Sequence, residues 1–426
     1  MRFHSTVSAV AAIVLLTATS FQFGATPSAD AHVGGFVTKG GHHFKTPPAI
    51  KAVPVDNVRD FGATGNGVID DSTAIQNAAN DAAGRGIGVF FPPGTYLHAS
   101  PLEFSTPVSG SGAASVLIAN NPANCAVILT GVGPSIQNMV ISTQGLAGAS
   151  SLLNPRSTTL LFQTATSFTA ANLTIVTGTN MWAVLVLQST VGSINSVAFD
   201  GTGSSNDQGV VIDQGDNITV SNSLFQNLAT GVDVSEVGGP SQFIAVVSNT
   251  IGDVAFPISF FGVSASGVSV LDISQNTIQM LNSSNPLPVD LTFCNDLAVI
   301  GNDTWGGLQG VVISNTGSGT NFVTQNTIHN CGAYGIIVNN LPTSAIQVTS
   351  NAFGECGLIL PATVILVEGG VGADLSGANT FVQNNFYAGH TNNLFLYVNS
   401  LFTAPHIPAS HVTGNTQAQT TLSNVI

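Results

Sequence analysis

This sequence of 426 residues predicts an all-β fold: a right-handed parallel β-helix of three sheets, closed by a short N-terminal capping helix. Three observations carry that expectation. Asparagine recurs at a near-constant interval through most of the chain, and a short strand of alternating polar and apolar residues follows most of these asparagines. The composition is that of strands and turns, with 7% of residues charged and 46 glycines. Such a chain has little from which to build exposed helices.

The repeat comes first. The asparagines are Asn138, Asn172, Asn195, Asn222, Asn249, Asn276, Asn302, Asn326, Asn351 and Asn384, and seven consecutive intervals between them lie within 23 to 27 residues. The flanking intervals, 34 and 33, fit loops inserted into a turn. A period near 25 is too short for a propeller blade and lacks the leucine spacing of leucine-rich repeats, but it suits one coil of a parallel β-helix. Turns buried between strands expose backbone groups that must be paired. An asparagine amide can pair with them and with the asparagine one coil on, so Asn222, Asn249, Asn276, Asn302, Asn326 and Asn351 are expected to stack in one turn. The second strand of each coil is exemplified by residues 231–235 and 335–339.

A stacked coil needs a cap on its open apolar end, and residues 58–97 supply one. Residues 58–63 read as a strand and 64–67 as a turn. Asp70, Asp71, Ser72 and Thr73 offer an N-cap with Gln76 three residues past Thr73. Ala74, Ile75, Ala78, Ala79, Ala82 and Ala83 then recur at helical spacing. Gly84 and Gly86 stop the helix, residues 87–91 form a buried strand, and Pro92, Pro93 and Gly94 turn into the next.

Ahead of the cap, Arg2 and His4 precede an apolar run over residues 7–16 and small residues ending at Ala31. This is the pattern of a signal peptide, residues 1–31. Its apolar run is too short to cross a bilayer core of roughly 30 Å as a helix. Residues 32–52 read as a disordered tail, and 53–426 as a single β-helix domain with coils from about 98 to 400 and a C-terminal tail over 401–426. The protein is therefore expected to be secreted.

Charge is unevenly placed along the chain. Residues 1–156 hold all seven Lys and Arg and seven of the acids, whereas residues 157–426 hold fourteen acids and no Lys or Arg. A nucleic-acid partner needs cations to displace phosphate counterions, which excludes that class, and binding to anionic membrane surfaces is disfavoured for the same reason.

Four cysteines in an exported chain can be oxidised. Cys331 and Cys356 each lie five residues past their repeat asparagine, which places them in neighbouring coils. Strands about 4.8 Å apart bring such a pair within disulfide range, and the spacing leaves bonded and free thiols both open. No close Cys/His spacing suggests zinc.

The string DFGATGNGVIDDSTAIQNA over 60–78, with GVFFPPGTYL over 88–97, resembles the N-terminal signature of the pectate-lyase superfamily, which includes polygalacturonases, rhamnogalacturonases and phage tailspikes. The resemblance implies the β-helix fold and an extracellular polysaccharide as partner. It also implies that Asp70 and Asp71 belong to the cap. The Asn-Thr-Asp, Gly-His-Gly and Arg-Ile-Lys motifs of the polygalacturonase pattern do not occur, and the Arg or Lys base of a pectate lyase has no counterpart in residues 157–426. A neutral or weakly charged glycan is therefore preferred over a polyuronate.

Aligning the second strands gives an outward column of Val211, Asp233, Ser259, Asp290, Val312 and Ile337, and two residues on a column of Asp213, Ser235, Phe261, Thr292, Ser314 and Asn339. Asp213, Asp233 and Asp290 then share one face as candidate catalytic acids. Strand geometry puts Asp213 about 8 Å from Asp233, and Asp233 about 9.6 Å from Asp290. Inverting glycosidases hold their acid and base roughly 6.5–9.5 Å apart, leaving room for a water. A further column, three residues after the repeat asparagine, holds Gln279, Trp305 and His329, and Trp305 with His329 would form a ring platform for substrate. The preferred reading is a glycoside hydrolase working through paired carboxylates. The alternatives are a non-catalytic surface or matrix protein that binds glycan, and a lyase. No cofactor is required, and acids on this face are compatible with calcium.

Overall fold

The computed structural model describes residues 54–252, 261–280, 287–314, 319–341, 345–356, 363–369, 381–383, 385–387, 394–400, 410, 412–417 and 420–421. The expected signal peptide and tail, Ser259, Asn384 and most of residues 401–426 lie outside them.

Each coil is three strands separated by corners. In one coil these are Thr230–Ser235 in a first sheet, Gln242–Val247 in a second and Thr250–Gly252 in a third. One coil on they pair in parallel with Phe261–Ser266, Ser269–Ser274 and Thr277–Met280. The same offset repeats down the chain, and among the described strands only the terminal Thr416–Gln417 and Thr420–Thr421 pair antiparallel. Side chains alternate across each strand, so Val232, Val234, Ile244, Val246 and Ile251 point inward and are 4% exposed or less. Stacked coil on coil, such residues make one continuous core from Val58 to Tyr387. Within it Phe162 stacks on Phe168 and Phe199 on Phe225, at centroid distances of 4.2 and 4.5 Å.

The glycine that opens many first-sheet strands has a steric cause. A Cβ at Gly231 would lie 2.6 Å from the carbonyl oxygen of Gly262, and one at Gly310 would lie 2.5 Å from that of Gly335. Neighbouring coils approach too closely there for any side chain.

The asparagine ladder exists, beginning one coil later than expected and continuing past Asn351. Asn249, Asn276, Asn302, Asn326 and Asn351 stack in the corner between the second and third sheets, each 1% exposed, and Asn385 and Asn415 continue the column. Asn276 is typical. Its Nδ2 donates to the Val246 carbonyl (2.8 Å) and to Asn302 Oδ1 (3.0 Å), and its Oδ1 accepts from the backbone N–H and Nδ2 of Asn249. Asn222 does not belong to the ladder. It is exposed, with φ of 50°, and Ser223 takes the buried place. In earlier coils that place is filled by Met139, Leu173 and Val197. Asn138 and Asn172, like Asn222, occupy the left-handed residue just before it. Asparagine tolerates that conformation, so two adjacent columns select one residue type for different reasons.

The cap forms from helix α1, Ser72–Arg85, which buries Ile75, Ala78, Ala79 and Ala82 against the first coils and ends at Gly86 in the left-handed region. Two details of the expected cap differ. The strand expected over 58–63 is a 3-10 turn, Val58–Phe61, preceded by the short strand Val55–Asn57. The expected capping box is absent. Asp71 folds back to accept from Thr64 and Gly65 backbone N–H groups, and Gln76 instead bonds the backbone of Glu103. Asp70 serves the helix start by accepting from the Ser72 N–H. Both aspartates are thus structural.

Cys331 and Cys356 are adjacent, with Cα atoms 4.3 Å apart, and form a disulfide. Cys125 and Cys294 are free and buried, and burial pushes their thiols up to about 12 and about 11. Thiol titration of the denatured, unreduced chain is therefore expected to find two reactive groups, and four after reduction. Four before reduction would show the pair to be unbonded.

Candidate functional site

The outward face of the first sheet carries the expected acids. Its pairing register places Leu185, Val211, Asp233, Ser264, Asp290, Val312 and Ile337 in one column. The column is as expected except in one coil, where the strand is Phe261–Ser266, so that Ser264 stands in place of Ser259 and Ser266 in place of Phe261.

Asp233 and Asp290 are two strands apart with Ser264 between them. At about 4.8 Å per strand their Cα atoms are about 9.6 Å apart, a spacing that leaves room for a water between the carboxyls. Burial pushes both carboxyls above the usual carboxylate range, and the Ser264 hydroxyl, by donating to Asp233, partly offsets this. The burial has a visible source. On one side of the acids Ala126, Ile128, Leu161, Trp182, Leu185 and Val211 form a covered apolar strip outside the sheet. On the other, Val312 and Ile337 are 6% and 4% exposed. The carboxyls sit in a polar window between apolar strips, where the charged form loses solvation.

Asp213 is not part of that window. It lies beside Ser235 in the next column, but it is 1% exposed and its Oδ1 accepts from the Gly238 N–H at 2.9 Å. A Cβ at Gly238 would fall 2.2 Å from Asp213 Oδ2, so this turn is shaped to close over the carboxylate. The structure brings Asp233 and Asp290 together and sets Asp213 apart.

Two polar groups were missed from the sequence. Glu236 accepts from the Ser266 hydroxyl at 3.1 Å across one coil, and Ser264 stands on the strand between the acids and donates to Asp233. The position of Glu236, immediately after the strand that carries Asp233, was the available signal for the first; Ser264, which bonds Asp233 alone of the two acids, was hidden by the misplaced coil.

The expected ring column is in the third sheet. Gln279 pairs with Trp305, Trp305 with His329 and His329 with Gly354. The Trp305 and His329 rings stack with centroids 4.2 Å apart, and His329 Nε2 lies 3.7 Å from Asp303 Oδ1. The rings and the carboxylate pair occupy different sheets. Among the described residues no three His, Cys, Asp or Glu side chains are grouped to hold a metal ion, and no helix is long and apolar enough to cross a membrane.

Comparison with known proteins decides the lineage. The family described as Rhamnogalacturonase A/epimerase, pectate lyase-like matches residues 55–282, more than half of the chain. The chain belongs to this family. A right-handed β-helix region matches residues 182–386 and gives the solenoid its hand. Two solved structures share the fold of this pectate lyase-like protein at low identity. PfbA, a surface adhesin of Streptococcus pneumoniae, is 17% identical over 81% of this chain and 93% of its own, with a TM-score of 0.55. The tailspike gp61 of Pseudomonas phage phi297 is 12% identical over 85% of this chain and 80% of its own, with a TM-score of 0.59. Among curated sequences, the plasmin and fibronectin-binding protein A of Streptococcus pneumoniae is 54% identical over 44 residues, which are 10% of this chain and 6% of that protein. The chain thus spans a small fraction of that relative's length.

Proposed function

We propose that this protein is exported and hydrolyses a neutral extracellular polysaccharide, with Asp290 as general acid and Asp233 as general base. The observation that supports the reading is the pair of carboxyls on one column, both raised by burial and separated by one strand. The division of roles follows from Ser264. A hydroxyl donating to Asp233 favours its ionised form, which suits a base, while burial alone acts on Asp290 and favours its protonated form, which suits an acid. Asp290 gives that proton to the glycosidic oxygen as the C–O bond breaks. Asp233 takes a proton from the water that attacks the same carbon from the opposite face, so one water is added across one bond and the configuration inverts. The absence of Lys and Arg beyond residue 156 favours a neutral chain over a polyuronate.

The fold shared with an adhesin supports a second reading, in which the same surface binds glycan without cleaving it. Incubation with a panel of neutral and acidic polysaccharides separates the two. Growth of reducing ends supports hydrolysis, and retention without product supports binding alone. Ultraviolet-absorbing unsaturated products would overturn both in favour of a lyase. Binding in either case is expected to change little between low and high salt, because exposed charge attraction is what salt screens.

A further inference from the structure

The third sheet presents a bay that the carboxylate pair does not use. Its construction starts at Gly354, where a Cβ would lie 2.8 Å from His329 Nδ1. The missing side chain lets the imidazole lean across that coil, and Trp305 stacks on the imidazole. One face of the indole is thereby covered by His329. The other is turned toward the coil of Gln279, which is exposed. One coil further, a Cβ built on Gly252 would meet nothing within 4 Å. Trp305 is the wall of the bay, Gln279 a polar group within it and Gly252 its open floor, with Thr277 and Asp303 paired in the neighbouring column.

We infer that this bay is a second glycan-binding site, which holds a neutral polysaccharide against the free face of Trp305 and anchors the protein to its substrate. The inference rests on the glycan reading above for the class of partner, and on separate residues for the site. The apolar C–H face of a pyranose matches an indole face, and the Gln279 amide can both donate to and accept from ring hydroxyls. Asp303, about half-exposed beside the platform, disfavours an anionic sugar, and no Lys or Arg follows residue 156 to offset it. The bay opens from the third sheet and the acids from the first, so a chain held here is not the chain placed for cleavage.

The test is co-sedimentation of the full chain with insoluble cellulose, chitin, xylan and mannan. Trp305→Ala and Gly252→Leu are each expected to weaken retention by about tenfold or more on whichever polymer binds, while Asp233→Asn is retained like the parent. Gly252→Leu fills open space, so it tests the bay without disturbing the core. Circular dichroism of each variant confirms its fold. Parental retention of both variants overturns the second site. So does loss of retention in Asp233→Asn alone, which would route all binding through the first sheet and leave the hydrolase reading intact. Conversely, Trp305-dependent retention by a protein that releases no product from any soluble oligosaccharide supports the bay and removes the hydrolase reading.

Discussion

Replacing Asn276 by leucine is expected to lower the thermal midpoint by several degrees, the largest stability loss of any single change proposed for this chain. The leucine fits the corner by volume and makes none of the four side-chain hydrogen bonds. The Asn249 backbone N–H loses its acceptor and the Val246 carbonyl loses the Nδ2 donor, and each buried polar group left unpaired costs about 1–3 kcal/mol. The expected total is therefore about 2–6 kcal/mol. Asn222→Gly is the control. Asn222 is exposed at φ of 50°, glycine adopts that conformation freely, and the midpoint is expected to stay unchanged. Equal losses in the two variants would show that asparagine matters here through turn conformation and not through the ladder.

Asp233→Asn is expected to lower the hydrolytic rate by at least about a hundredfold, since a general acid or base contributes roughly 10²- to 10⁴-fold. The same substitution is expected to raise stability at neutral pH. Burial holds the Asp233 carboxyl above its ordinary value of 3.8, so the folded chain binds this proton more tightly than the unfolded one. The stability linked to that proton is fully present below the unfolded value and is lost as pH rises through the folded one. Asparagine keeps the shape and the Ser264 donor without carrying a charge. The variant should therefore melt higher than the parent at pH 7, and the two curves should converge as pH falls toward 3.8. Asp290→Asn should behave alike, for the same cause. A hundredfold rate loss accompanied by a lower midpoint at pH 7 would mean that the buried carboxylate is held by favourable contacts, and that its pKa is not raised.

Much of the fold was legible because a solenoid writes its period into the chain. The first-sheet column from Val211 to Ile337 could be aligned on alternation alone, since a strand buried on one face tolerates no slip. Ser259 was misplaced because the number of residues between one coil's third strand and the next coil's first strand varies along the chain, and no local chemistry marks where the next strand begins. The ladder was legible from Asn249 to Asn351, where a buried amide satisfies the corner in every coil, and illegible before it, where Met139, Leu173 and Val197 fill the same corner with apolar volume. Asp213 looked like a third acid because the sequence shows which face a residue takes, and not whether a later turn closes over it. The Gly238 N–H that claims it lies 25 residues on. The ring pair was found by spacing alone, whereas the contribution of Gly354 becomes evident only once His329 is seen leaning across it.

The change of corner at Ser223 divides the solenoid into two mechanical regimes. Beyond it, each coil hands its corner groups to the next, so Asn249 is held by Asn276, Asn276 by Asn302, and so on to Asn415. Before it, the corner is closed by packing alone, and its last polar link is the Val197 N–H on Ser223 Oγ at 3.2 Å. Repeat arrays come apart by nearest-neighbour steps. A chain pulled from its C-terminal end should therefore yield in a series of events that each free one coil and strand one amide, interrupted where the Cys331–Cys356 disulfide ties two neighbouring coils together. The series should end at Asn249, where the remaining coils, closed at the far end by α1, give way together.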